Sequence, residues 1–61
     1  MINRDELERL AGRISVIRQE IQELKTDGSE YICIARNAER MLACVKMLEL
    51  EINDAVEHVD A

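Results

Sequence analysis

Leucine and isoleucine recur through the first half of the chain at Leu7, Leu10, Ile14, Ile17, Ile21 and Leu24, alternating by three and four residues. On a helix of ~3.6 residues per turn that spacing lays down one apolar stripe, so the pattern predicts an amphipathic helix over about 4–26. Asn3 stands where an N-cap is needed and Glu6, three residues on, matches a capping-box carboxylate. Asp5 in the first turn suits the positive end of the helix dipole. The stripe breaks at Thr26-Asp27-Gly28-Ser29. A left-handed Gly28 would close the helix, Ser29 or Asp27 would cap the next one, and the chain would reverse within about four residues.

The alternation resumes at Tyr31, Ile34, Ala38, Met41, Val45, Leu48, Ile52, Ala55 and Val59, which predicts a second helix over about 30–58. Two apolar stripes cover each other when the chain doubles back. The fold class is therefore all-α, an antiparallel helical hairpin, with residues 1–61 forming a single domain. A pivot at Asp27 and Gly28 sets residue i level with about residue 55 minus i. Leu7 would then lie beside Leu48 and Ile21 beside Ile34, and the residues beyond about 53 would overhang the first helix.

The second helix also carries apolar residues off its stripe. Ala35 and Leu42 widen it, and Ala43, Met47 and Leu50 fall on nearly the opposite face. Monomers rarely leave such a patch in water. Leu42, Ala43, Met47, Leu50, Ile52, Val56 and Val59 are accordingly predicted to meet another subunit, giving a four-helix bundle or a higher oligomer. Size points the same way, because a chain this short buries a smaller fraction of its surface than a larger domain does. Gly12 interrupts the first helix at an outward position, where alanine would be better by ~1 kcal/mol. A neighbouring helix, a ligand or a plain surface position would each account for it.

Composition narrows the class without naming a function. The chain is 48% hydrophobic, with no proline, two glycines and one aromatic residue. That excludes collagen, a turn-rich sandwich and a disordered tail. Thirteen acidic against eight basic residues give a formal charge of -5, and the excess is local: residues 47–61 hold five acids and no base, while residues 1–46 are balanced. Arg13, Arg18, Lys25, Arg36, Arg40 and Lys46 lie around the turn and mid-hairpin. Arg36 and Arg40, four apart, share a helix face that could meet phosphates, and Tyr31 could stack on a base. The plainer alternatives are solvated arginines and a tyrosine packed at the bundle end.

No catalytic constellation is legible. His58 is the sole histidine, and with Asp54 it offers two metal ligands at most. Glu20 with Glu23, and Glu49 with Glu51, lack the Glu-x-x-His motif of carboxylate di-metal bundles. Neither serine has a histidine neighbour and no glycine-rich phosphate loop is present. The expectation is a protein that is not an enzyme, with no metal site and no cofactor. Cys33 and Cys44, eleven residues apart, cannot bond within one helix and read as small buried hydrophobes in a reducing compartment, with a disulfide between chains as the alternative. With neither an apolar signal region nor an apolar run of ~20 residues, the chain is expected in the cytoplasm, away from membranes.

The hairpin architecture resembles the Rop family of plasmid RNA-binding proteins in length and topology. Those are small acidic hairpins that dimerise into four-helix bundles and bind paired RNA loops along one helix face. The run Leu10-x-Gly12-x-Ile14, followed by Ile34-Ala35-Arg36 and by Met41 through Ile52, is similar to the helical-hairpin domain of phage anti-defence sponges, which sequester cyclic oligonucleotide or cyclic ADP-ribose signals in oligomers. That resemblance implies a small anionic nucleotide held between subunits, with Arg36 and Arg40 as the first residues to test. Three functional expectations follow in order. The first is a non-enzymatic homo-oligomeric interaction or regulatory module that binds itself or another protein. The alternatives are a phage-type sponge using Arg36, Arg40 and Tyr31, and then a Rop-like RNA-binding dimer, which the acidic balance disfavours.

Overall fold

The computed structural model describes residues 3–60. Helix α1 runs Arg4–Asp27 and helix α2 runs Ile32–Asp60. They pack side by side as an antiparallel hairpin of 46 × 15 × 14 Å, with no strand among the described residues. Asn3 is extended (φ -117°, ψ 171°), and its Oδ1 accepts from the Glu6 backbone N–H at 2.9 Å. This is the N-cap the sequence calls for, and it satisfies one of the orphan donors at the helix start.

The turn is built differently from expectation. Gly28 closes α1 at φ -96°, ψ 15°, and no described residue has a positive φ. Its N–H donates to the Leu24 carbonyl at 2.8 Å, and Tyr31 N–H donates to the Gly28 carbonyl at 2.9 Å. Ala35 N–H then donates to the Tyr31 carbonyl at 3.0 Å. Tyr31, rather than Ser29 or Asp27, therefore supplies the first acceptor of α2, which starts at 32 instead of 30. Glycine is needed at 28 for closeness of approach. Gly28 is buried, and a Cβ there would stand 3.0 Å from the Leu24 carbonyl oxygen, 3.2 Å from Ile34 Cβ and nearer still to Ile34 Cγ2.

This turn moves the register. Gly28 meets Ile34, Ile21 shares a groove with Met41 and Val45, and Ile14 and Ala11 share one with Glu49 and Ile52. Residue i is thus level with about residue 63 minus i. The expected overhang disappears. Leu7 lies level with Val56 instead of Leu48, and Ile52, Ala55 and Val56 are half-buried along the N-terminal half of α1. The physical reason is the longer connection: carrying the chain through 28–31 shifts the pivot toward α2, and each residue of shift in the pivot displaces the pairing by two.

The core uses alternate members of the two stripes. Leu7 is 2% exposed, and Ile21, Ala38 and Val45 are buried in one cluster flanked by Ile14 and Leu42. Gly12 has nothing within 4 Å of where its Cβ would be. Replacing it with alanine should therefore stabilise the hairpin by up to ~1 kcal/mol, read as a higher denaturation midpoint. A loss of stability would mean that another molecule packs on that backbone in solution.

Candidate interaction surface

Two helices in contact cover one line on each. The stripe on each helix is wider than that line, so half of its members are left over. Leu10, Ile17 and Leu24 on α1, and Ile34, Met41 and Leu48 on α2, recur at intervals of seven and are each 36 to 48% exposed. On both helices these positions lie roughly 40 to 80° to the same rotational side of the core line. Because the helices are antiparallel, both sets emerge on one broad face of the hairpin. The groove formed by Ile17, Ile21, Met41 and Val45, bordered by Arg40 and Cys44, runs along it.

The opposite face is closed by charge. The Arg18 guanidinium donates from Nε and Nη2 to the two carboxylate oxygens of Glu49, each at 2.7 Å, in a fork that spans the helices. One step toward the turn, Lys25 pairs with Glu39. The fork holds the Glu49 carboxyl below its ordinary value of 4.5: hydrogen bonding from Arg18 lowers it most, partial desolvation opposes, and the charges of Arg18 and Lys46 add to the lowering. The Arg18 guanidinium is correspondingly raised, first by its hydrogen bond to Glu49.

A depressed carboxylate contributes stability above its unfolded pKa and loses it as pH falls through the folded value. The hairpin should therefore weaken as pH drops below about 4.5, the ordinary carboxylate value. In Glu49→Gln that part of the acid-side loss should vanish. Thermal midpoints at pH 7 and pH 3 test it: the variant should be less stable than the parent at pH 7 and should approach it at pH 3. A constant difference at both values would remove the fork from the stability of the hairpin.

The residues singled out from sequence separate into distinct places. Arg36 and Arg40 are exposed on the outer side of α2 and make no ion pair among the described residues. Tyr31 is 66% exposed beside the turn. Nine residues separate it from Arg40, roughly half a turn round and ~13 Å along the axis, so the single hairpin does not bring the three together. Of the proposed subunit contacts, Leu42 packs on the core cluster and Ile52 and Val56 are half-buried within the hairpin. Ala43, Met47 and Leu50 are exposed on the outer side of α2, and Val59 is 45% exposed.

Cys33 and Cys44 are free and exposed, which corrects their reading as buried hydrophobes. Both lie round α2 from the line that α1 covers, and a two-helix hairpin has nothing else to lay over them. Among the described residues no group of three His, Cys, Asp or Glu side chains could hold a metal ion, and no helix is long and apolar enough to cross a membrane.

The split of each stripe into a covered and an uncovered half, and the Arg18–Glu49 fork, were missed from sequence. Both follow from the register. Once the pivot is placed after Gly28, the spacing of seven and the charges at 18 and 49 fall into place. The fold defines an all-α two-helix hairpin with one apolar broad face. No protein-family model matches the chain, and neither a curated protein nor a solved structure matches it significantly. The likeness to Rop-type and sponge hairpins accordingly stays at the level of topology.

Proposed function

We propose that the protein is a non-enzymatic, self-associating helical hairpin whose role is to present an oligomeric helical surface for interaction. The observation that supports this is the uncovered apolar face, and its size can be weighed. The chain exposes 5084 Å². A compact monomer of 7.0 kDa is expected to expose about 4,000 Å², so the hairpin carries an excess of about 1,000 Å². A stable protein interface removes ~800 Å² from each partner, which is the scale of that excess. Sedimentation equilibrium at micromolar concentration is the test. A mass of two or more chains is expected, and a folded monomer overturns the reading.

The ligand reading places an anionic nucleotide between subunits on Arg36 and Arg40, which share a helix face, with Tyr31, which within one hairpin lies about half a turn round from Arg40. Thermal denaturation with a panel of cyclic oligonucleotides and cyclic ADP-ribose should leave the midpoint unmoved. A concentration-dependent rise with any member would favour the sponge reading over this one.

A further inference from the structure

We infer that the apolar face binds a second copy of this chain in one orientation, with α1 of each hairpin lying across α2 of the other and both turns at the same end. This rests on the self-association proposed above and adds which face is used and how the copies are arranged. A two-fold face-to-face dimer of antiparallel hairpins has two solutions that keep neighbouring helices antiparallel. In one, the two-fold runs along the hairpin and α1 faces the second copy's α2. In the other, the two-fold crosses the hairpin and α1 faces the second copy's α1.

The charges beside the apolar face choose between them, as flanking charges set helix orientation in coiled coils. On α1 the row next to Leu10, Ile17 and Leu24 is Glu6, Arg13, Glu20 and Asp27. On α2 the corresponding row is Asn37, Cys44, Glu51 and His58. With turns together, the register of the hairpin sets Glu6 level with the second copy's His58 and Arg13 level with its Glu51. Glu20 and Asp27 fall level with its uncharged Cys44 and Asn37, so two of the four rim pairs are complementary and none sets like charge against like. The apolar layers agree. Leu24 falls beside the second copy's Met41, Ile17 beside its Leu48 and Leu10 beside its Ala55, all with the same small offset.

The crossed arrangement is the poorer on both counts. An α1 pair centred on Ile17 sets Arg13 against the second copy's Glu20, but it also sets Glu6 against its Asp27 at both ends, so attraction and repulsion cancel, and it brings Met41 level with Glu51. The opposite broad face is no competitor, since Arg18–Glu49 and Lys25–Glu39 already occupy it. The outer side of α2, with Ala43, Met47 and Leu50, stays outside this interface.

Spin labels at Ser29→Cys, in a Cys33→Ser/Cys44→Ser background of the full chain, test the arrangement, because Ser29 is exposed in the turn and the one change beside the interface, Cys44→Ser, is nearly isosteric. Paired turns give a separation of roughly 10 to 25 Å, from helices 8 to 10 Å apart. Crossed hairpins put the labels near the 46 Å length of the molecule. A short separation in a dimer is the expected result. A dimer with labels near 46 Å overturns the inference and leaves self-association standing. A trimer or larger assembly also overturns it, and a folded monomer overturns both. Charge reversal is the second readout. Arg13→Glu should weaken the dimer about tenfold, since two attractive pairs become repulsive, and Arg13→Glu/Glu51→Lys should recover most of it. No recovery in the double variant counts against the pairing.

Discussion

Leu7→Ala is expected to leave little folded protein at room temperature. Leu7 is the largest fully buried side chain, 2% exposed, where the N-terminal turns of α1 meet the Ile52 to Val56 stretch of α2. Truncating a buried leucine costs about 2 to 5 kcal/mol, the lost transfer energy plus the cavity left behind. A chain of 61 residues has only about 3 to 9 kcal/mol in total. Urea titration followed by helical circular dichroism, at one fixed chain concentration, should show the midpoint collapse. Leu10→Ala is the internal comparison. Leu10 is 45% exposed in the single hairpin, where its own chain's packing would make truncation cost well under half as much. The proposed dimer covers it, so Leu10→Ala is expected to cost nearly as much as Leu7→Ala, and a small cost would mean that this face stays uncovered in solution.

Gly28→Ala is expected to destabilise the hairpin by about 1 to 3 kcal/mol through crowding, although alanine is the better helix former. The added methyl would press on Ile34 Cγ2, close to the backbone and unable to swing away, and on the Leu24 carbonyl oxygen at 3.0 Å. Either Ile34 leaves its rotamer or the two helices part at the turn. Because one specific contact is responsible, Gly28→Ala/Ile34→Ala should lose less than the two single changes together. Additive losses would place the effect in the unfolded chain instead. The contrast with Gly12→Ala, expected to stabilise, separates a glycine required by packing from one that is free to change.

Periodicity was enough for the helices. Alternation by three and four from Leu7 to Leu24 and from Tyr31 to Val59 defines both elements, and Asn3 caps the first as its side chain allows. The second start was misplaced by two residues. Hydroxyl and carboxylate side chains at 27 and 29 are good caps on chemistry alone, but the backbone passes through them and uses the Tyr31 carbonyl. That choice depends on Ile34 seating against Gly28, a contact no local rule contains. The same cause moves the surroundings of three residues expected at a subunit contact. Ile52 and Val56, expected around or beyond the end of α1 from a pivot at Asp27 and Gly28, lie half-buried along it, and Leu42, expected to widen the stripe, packs on the core cluster.

By itself the sequence determined that this chain is two amphipathic helices joined by a short turn, because side-chain periodicity is a property of each helix alone. It also determined a stripe wider than one partner helix can cover. The tertiary structure decided which members of the stripe are covered, since that depends on the register and on how the turn closes. It decided too that Arg18 reaches Glu49, 31 residues away, and that Leu10, Ile17, Leu24, Ile34, Met41 and Leu48 emerge together on one side. Local spacing specifies which way a side chain points from its own axis; only the packing of the second helix determines what it meets.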